Sequence, residues 1–177
     1  KMPWHNGPTV IEMLDNLTQP SAPIDLPLRL PIQDVYKFDE RRIIVGRIES
    51  GFLKKGDKLL FSPSNKTASV ASLEHWGHQE PAIKASAGQS VAIVLDEEIF
   101  IERGHIASLI KNPPIETNVF QAKVFWIGDQ PIRTGDRFKI KIATSEHSVE
   151  VQSIESATNV DNLEKTLSTQ IEKNGIG

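Results

Sequence analysis

Val45-Gly46-Arg47-Ile48-Glu49-Ser50-Gly51-Phe52-Leu53-Lys54-Lys55-Gly56-Asp57-Lys58-Leu59-Leu60-Phe61 decides how the rest of the chain is read. Ile44, Gly46 and Ile48, and then Leu59 and Phe61, alternate with polar or small neighbours, the period of two that a strand shows when one face is buried. Gly51 and Gly56 sit where the backbone must turn sharply, and Lys54-Lys55 crown the loop between them. The stretch reads as the corner of a β-barrel. Its order of residues recurs at Ile101-Glu102-Arg103-Gly104-His105-Ile106 and at Ile132-Arg133-Thr134-Gly135-Asp136-Arg137-Phe138: an apolar residue, two mostly polar ones, a glycine, a polar residue and then a strand. Irregular spacing of the three copies predicts a recurrent turn rather than a solenoid, whose repeats would keep a fixed period.

On the N-terminal side of this corner, Leu28, Leu30 and Ile32 begin an alternating strand that Val35 and Tyr36 continue. On its C-terminal side Val70 and Leu73, then Val91, Ile93 and Leu95, supply further strands, separated by Ser62-Pro63-Ser64-Asn65 and Ser86-Ala87-Gly88-Gln89. Many short strands with turn-rich spacers imply a small barrel or sandwich, since closure removes exposed edges. The first barrel is therefore set at residues 26–112. Lys111-Asn112-Pro113-Pro114 ends it, because consecutive prolines cannot continue a central strand.

Residues 113–177 read as a second β region, with strands at Phe120–Ile127, Arg137–Ile142 and Val149–Ile154. About 60 residues are few for a complete barrel, and Asn174-Gly175-Ile176-Gly177 stands where a further strand is expected to begin. The expectation is a barrel cut short. At the other end, Thr9 and Glu12 have capping-box spacing, and Val10, Ile11, Leu14 and Leu17 fall on one helical face. So short a helix needs a surface to rest on. It is read as the last helix of a domain outside this chain (residues 1–19), followed by a linker at residues 20–25 that is rich in proline.

Composition bounds the function. The chain has 177 residues, 38% of them hydrophobic, a formal net charge of −3 and a pI near 6.0, which argues against a general nucleic-acid binder. It contains no cysteine, which excludes disulfides and thiolate chemistry and fits a reducing, cytoplasmic setting. No apolar run approaches the roughly 20 residues that a membrane helix needs, so no membrane partner is expected.

These residues carry a family resemblance. Pro3-Trp4 with Gly7-Pro8-Thr9-Val10-Ile11-Glu12-Met13-Leu14 resembles the last helix of the GTPase domain in the elongation factor Tu/1-alpha superfamily. Pro31-Ile32-Gln33-Asp34-Val35-Tyr36, Gly46-Arg47-Ile48-Glu49-Ser50-Gly51 and Leu53-Lys54-Lys55-Gly56-Asp57 resemble that superfamily's second domain, a β-barrel. The fold class implied is all-β: two consecutive barrels, translation-factor domain 2 and a partial domain 3, behind a short N-terminal helix. Within the superfamily, Phe125-Trp126-Ile127-Gly128-Asp129-Gln130-Pro131-Ile132, Asp161-Asn162-Leu163-Glu164 and Asn174-Gly175-Ile176-Gly177 resemble the third domain of the large, GTPase subunit of ATP sulfurylase (sulfate adenylyltransferase). Leu95-Asp96-Glu97-Glu98-Ile99 with Arg103-Gly104 resembles that subunit's second domain. Asp39-Glu40-Arg41-Arg42-Ile43-Ile44 stands where translation factors commonly carry a Gly-x-Gly-Thr-type turn.

The resemblance implies a parent of three domains, in which an N-terminal domain outside this chain holds GTP and magnesium. No cofactor is expected in the chain itself, which has no Gly-x-x-x-x-Gly-Lys-Ser/Thr segment to hold phosphate and magnesium. The implied partners are the chain's own GTPase domain and the catalytic small subunit, which makes adenylyl sulfate in sulfate assimilation. The alternative is an elongation factor 1-alpha-like or release-factor-like GTPase whose barrels bind aminoacyl-tRNA or a protein of that shape. A stand-alone β-barrel interaction module is the third reading.

Neither catalytic nor metal residues are assigned. His75-Trp76-Gly77-His78 could hold a metal, but no further ligand completes a tetrahedral set, and a loop with Trp76 as core residue or partner anchor is the plainer reading. Arg41, Arg42 and Arg47 could grip an acidic partner or a phosphate, against a solvated hairpin crown. Glu49 lies in the segment that, in translation factors, helps form the pocket for the aminoacylated tRNA end, against a barrel-edge carboxylate. Together with His75 and Trp76 these are the candidate partner-binding residues. Arg137, Lys139 and Lys141 share one strand face, read as the wet side of a sheet, and Asp96-Glu97-Glu98 is read as a solvated turn.

Overall fold

Alternating apolar residues on either side of the Gly46–Gly56 corner roll the chain into a closed barrel of six strands. In this computed structural model, which describes residues 4, 6–18, 20–38, 41–74, 82–158 and 164–177, the strands are β1 (Leu30–Phe38), β2 (Arg41–Arg47), β4 (Lys58–Ser62), β5 (Lys66–Glu74), β7 (Ser90–Leu95) and β8 (Ile106–Leu109). They close in the order β1-β2-β7-β5-β4-β8. Closure comes where β8 returns to β1, with Leu30 opposite Ala107. A small ribbon of β3 (Phe52–Lys54) and β6 (Lys84–Ser86) lies outside the ring. Inward positions form one core that includes Leu28, Leu30, Ile32, Ile48, Leu59, Phe61, Leu73 and Ile93, all essentially buried.

The change of parity in β1, from even residues 28, 30 and 32 to odd residue 35, has a structural cause. A bulge between Ile32 and Asp34 adds one residue against β2, and that returns Val35 to the barrel side. Tyr36 then faces solvent, 54% exposed.

Among the described residues the recurrent turn is built four times around a glycine. In the copy at Lys54–Asp57, Asp57 N–H donates to the Lys54 carbonyl (3.2 Å), Gly56 N–H to Val70 of the facing strand (2.8 Å), and Val70 N–H back to Asp57 (3.0 Å). The same three-bond frame joins Arg133–Asp136 to Val151, Ser86–Gln89 to Ile48, and Glu102–His105 to Ile32. The third residue is glycine each time, with φ between 86° and 95°, as in a type II turn, and this is the conformation that glycine adopts without strain. In three copies a side chain completes the turn: Asp57 accepts from Lys54 N–H at 2.9 Å, Asp136 from Arg133 N–H at 2.7 Å and Gln89 from Ser86 N–H at 2.6 Å. His105 occupies that place in the fourth, and its Nδ1 is buried with no hydrogen-bonding partner among the described residues.

Beyond the barrel, β9 (Ile132–Arg133) pairs with β14 (Gln170–Ile171), β10 (Arg137–Ile142) with β11 (Ser145–Glu150), and β12 (Ala157–Thr158) with β13 (Lys165–Thr166). The described strands here form ribbons rather than a ring. The strand expected over Phe120–Ile127 is reduced to a bridge of Phe125 with Ile176, flanked by hydrogen bonds that tie Val124 to Gly177 and Trp126 to Asn174 and Gly175. The Asn174–Gly177 segment is thus already paired. Arg29 braces the junction with this region: its guanidinium donates to the carbonyls of Leu28 (2.7 Å), Asn112 (2.9 Å) and Pro113 (3.3 Å).

Helix α1 (Val10–Asp15) has the capping box read from Thr9 and Glu12, and none of its residues is buried. Val10, Ile11, Met13, Leu14 and Leu17 are each 59–74% exposed, so the apolar face does not rest on the barrel. Hydrogen bonds from the Thr9 backbone and then its side chain hold the Glu12 carboxyl below its ordinary range.

Candidate partner-binding surface

β2 carries three of the candidate arginines but divides them. Arg41 and Arg47 are six residues apart on an extended strand, roughly 20 Å at the usual rise, so they stand at opposite ends. Arg47 is exposed opposite Ser90 of β7. Glu49 is also exposed, and its N–H donates to the Arg29 carbonyl at 2.9 Å. Neither lies with Arg41 and Arg42.

At the other end of β2 the register does what the sequence does not show. Ile44 pairs with Ile93 and Val45 with Ala92, and continuing that antiparallel register by two residues sets Arg42 across from Leu95. The loop leaving β7, Asp96-Glu97-Glu98-Ile99, therefore emerges beside the start of β2. Together they enclose a cleft of about 170 Å³, lined by Val35, Ile44, Val94, Leu95 and Ile99, with Arg41, Arg42, Glu97 and Glu98 also in its wall. All four of these charged residues are exposed.

Asp96 holds the acidic loop in place. Its carboxylate accepts the Ser69 N–H at 2.7 Å, while its own N–H donates to the Ser69 carbonyl at 3.0 Å. The Ser69 backbone, then the Ser69 side chain, keeps the Asp96 carboxyl below its ordinary value. Ile99 packs against the core behind it. Arg41 is anchored as well: Nη1 lies 3.6 Å from Glu74 Oε1, an oxygen that also accepts from Ser72 Oγ at 2.8 Å. The acidic turn is exposed, as the solvated reading has it, and it also borders this cleft together with the arginine pair.

His75 and Trp76 lie outside the described residues. Among the described residues no group of three or more His, Cys, Asp or Glu is placed to hold a metal. Arg137, Lys139 and Lys141 face solvent on β10, matched by Glu150 at 2.9 Å from Arg137 and by Glu146 at 3.1 and 3.9 Å from the two lysines. That face is charge-paired, which weakens it as a phosphate track. In the C-terminal region the Trp126 indole N–H donates to the Gln130 carbonyl at 2.6 Å, its ring meets Phe138 edge-on at 5.3 Å, and Gly128 folds against it. A Cβ at Gly128 would stand 2.4 Å from Trp126 Cζ2.

A closed six-stranded barrel with glycine turns at its corners, followed by a second β region, defines a translation-factor-like barrel region. The comparisons agree. No family model matches the chain. Elongation factor 1-alpha of Sulfolobus acidocaldarius is 43% identical over 130 residues, covering 72% of this chain and 29% of its own length. Elongation factor 1-alpha of Staphylothermus marinus is 43% identical over 129 residues, 71% of this chain and 29% of its own. Sulfate adenylyltransferase subunit 1 of Shewanella oneidensis is 30% identical over 176 residues, 99% of this chain and 36% of its own. Among solved structures, Sup35 complexed with GDP superposes with a TM-score of 0.76 at 25% identity, covering 98% of this chain and 43% of that one. The chain belongs to the elongation factor Tu/1-alpha superfamily, and it spans about a third of the length of these curated relatives. No helix among the described residues is long and apolar enough to cross a membrane.

Proposed function

We propose that the chain is the barrel region of the GTPase subunit of a sulfate adenylyltransferase, working in the cytoplasm and coupling GTP hydrolysis to synthesis of adenylyl sulfate by a separate catalytic subunit. The observation that carries this reading is the extent of the match. Similarity to sulfate adenylyltransferase subunit 1 runs over 99% of the chain, whereas the elongation factor 1-alpha relatives cited cover 71–72% of it. Against it stands the higher identity of those factors where they do match, and this favours the second reading, a translation GTPase whose barrels bind aminoacyl-tRNA.

The chain's own residues do not fit a GTP–magnesium site, since it has no phosphate-loop sequence, and no step of nucleotide chemistry is assigned to them. Their part is mechanical. A closed barrel can move as a body, and Arg29, bonded to the carbonyls of Asn112 and Pro113, stands at its junction with the C-terminal region. Coupling of this kind works through contacts that differ between nucleotide states, typically about 1–3 kcal/mol.

The test mixes the full-length parent with its catalytic subunit and follows pyrophosphate release from ATP and sulfate. Release that rises with GTP is the expected result. No GTP stimulation, with a catalytic subunit shown to be active, would overturn the reading. Binding of aminoacyl-tRNA that weakens steeply with salt would support the second.

A further inference from the structure

We propose that Asn174-Gly175 is a site of self-modification, where the backbone attacks the Asn174 side chain, and that a turn of the recurrent kind holds the reaction off while the segment stays paired. The inference does not depend on which GTPase the parent is. Glu172–Gly175 is a further copy of the three-bond frame: Gly175 N–H donates to the Glu172 carbonyl (2.8 Å), Asn174 N–H to Trp126 (2.6 Å), and Trp126 N–H back to Gly175 (2.9 Å). Asparagine stands here where the other four copies have glycine, and it takes the left-handed conformation, with φ 61°. Asparagine accepts that conformation better than most residues with a side chain. Gly175 is required by packing, since a Cβ on it would stand 2.8 Å from the Glu172 carbonyl oxygen and 3.1 Å from Ile171 Cγ2. Geometry therefore sets an asparagine before a glycine, and asparagine is a thermally labile residue.

The lability follows from the atoms. The Gly175 nitrogen, once stripped of its proton, attacks Asn174 Cγ; the new C–N bond closes a five-membered imide, and the side-chain nitrogen takes up a proton and leaves as ammonia. Water then opens the ring. Breaking the bond to Cγ leaves aspartate, whereas breaking the bond to the main-chain carbonyl leaves isoaspartate, whose backbone is longer by a methylene. No side chain on Gly175 shields its nitrogen, and Asn174 is exposed to water. The frame opposes the first step: the Glu172 carbonyl holds the Gly175 proton and the bonds to Trp126 fix the backbone, so reaction waits on local opening. Once isoaspartate has formed, the lengthened backbone cannot restore the register of the three bonds. The edge at Trp126, next to the bridge of Phe125 with Ile176, is then left unpaired.

The experiment incubates the full-length parent at mildly alkaline pH, folded and in denaturing urea. Peptide mapping follows Asn174 and separates it from Asn6-Gly7, the chain's other such pair. The expected result is a mixture of aspartate and isoaspartate in urea, formed at least about tenfold more slowly in the folded protein. Asn174→Gly, which restores the glycine of the other copies, should form neither product and keep the parent's melting temperature. In folded protein aged until it carries isoaspartate there, amide exchange of the Trp126 peptide should rise at least about tenfold, while freshly prepared Asn174→Asp, with the charge but not the methylene, should stay within about twofold of the parent. Equal rates in folded and unfolded protein would overturn the protection. Aspartate without isoaspartate in urea would overturn the cyclisation, and unchanged exchange around Trp126 would overturn the loss of pairing.

Discussion

Gly46 runs so close to Pro31 that a Cβ on it would stand 2.3 Å from the Pro31 carbonyl oxygen and 2.8 Å from Leu30 Cδ1. The first of these neighbours is backbone in the adjacent strand, so relief requires β1 and β2 to part. Gly46→Ala is expected to destabilise the barrel by about 3 kcal/mol or more, at the upper end of overpacking costs. Gly56→Ala is the contrasting case: no described residue lies within 4 Å of its Cβ position, and only the positive φ of 86° is strained, which costs about 1–2 kcal/mol. Urea unfolding of the two variants measures the difference, and equal losses would refute the close approach.

Asp57 and Asp136 perform one task in two separate turns. Each carboxylate accepts a backbone N–H three residues earlier, from Lys54 and Arg133. Asp57→Ala and Asp136→Ala are each expected to cost about 1 kcal/mol, the net worth of such a bond, with Asp→Asn retaining most of it. Because the two turns share no partner, the double substitution should be additive within about 0.5 kcal/mol. Unfolding free energies of the two single variants and the double variant decide it.

Ser108 sits in β8 with no exposed surface, and its Oγ has no hydrogen-bonding partner among the described residues. A buried hydroxyl without a partner carries a desolvation cost and returns nothing. Ser108→Ala is expected to leave stability unchanged or raise it by up to about 1 kcal/mol, read as a higher melting temperature. A loss above that size would mean that the hydroxyl has a partner after all.

Much of the barrel was legible because its signals are local. The period of two in residues 44–48 and 59–61 fixes which side chains face inward, and the glycine-third turns can be read from four consecutive residues. The Ser86-Ala87-Gly88-Gln89 copy reads as a spacer in sequence, since the small Ala85 stands where the other three glycine copies have Leu53, Ile101 and Ile132. The cleft was not legible, for a physical reason. Arg42 and Glu97 are brought together by the pairing of β2 with β7, and a register between strands about 50 residues apart leaves no mark in either segment alone. The loss of strand over Phe120–Ile127 has a similar origin: its apolar pattern is strand-like, but Asn174–Gly177 supplies a pairing edge only near Val124–Trp126.

Asp96 is expected to make the acidic side of the cleft sensitive to pH. The Ser69 backbone N–H, followed by the Ser69 side chain, holds its carboxyl below the ordinary value of 3.8. A carboxyl depressed in the folded state adds stability above its unfolded value, and that stability disappears as pH falls through the folded one. Loss should therefore begin near the ordinary carboxylate range and continue below it. Asp96→Asn keeps an oxygen to accept the Ser69 N–H but cannot titrate, so its stability should vary less with pH over that window. Glu12 is depressed in the same direction by its bonds with Thr9, so the comparison is made in a Glu12→Gln background. The decisive signal is the Ser69 amide proton resonance: in the parent it should move as Asp96 protonates, and in Asp96→Asn it should stay flat. An amide that moves equally in both would assign the titration to another group, and Asp96 would no longer account for how the Glu97-Glu98 turn is held against β2.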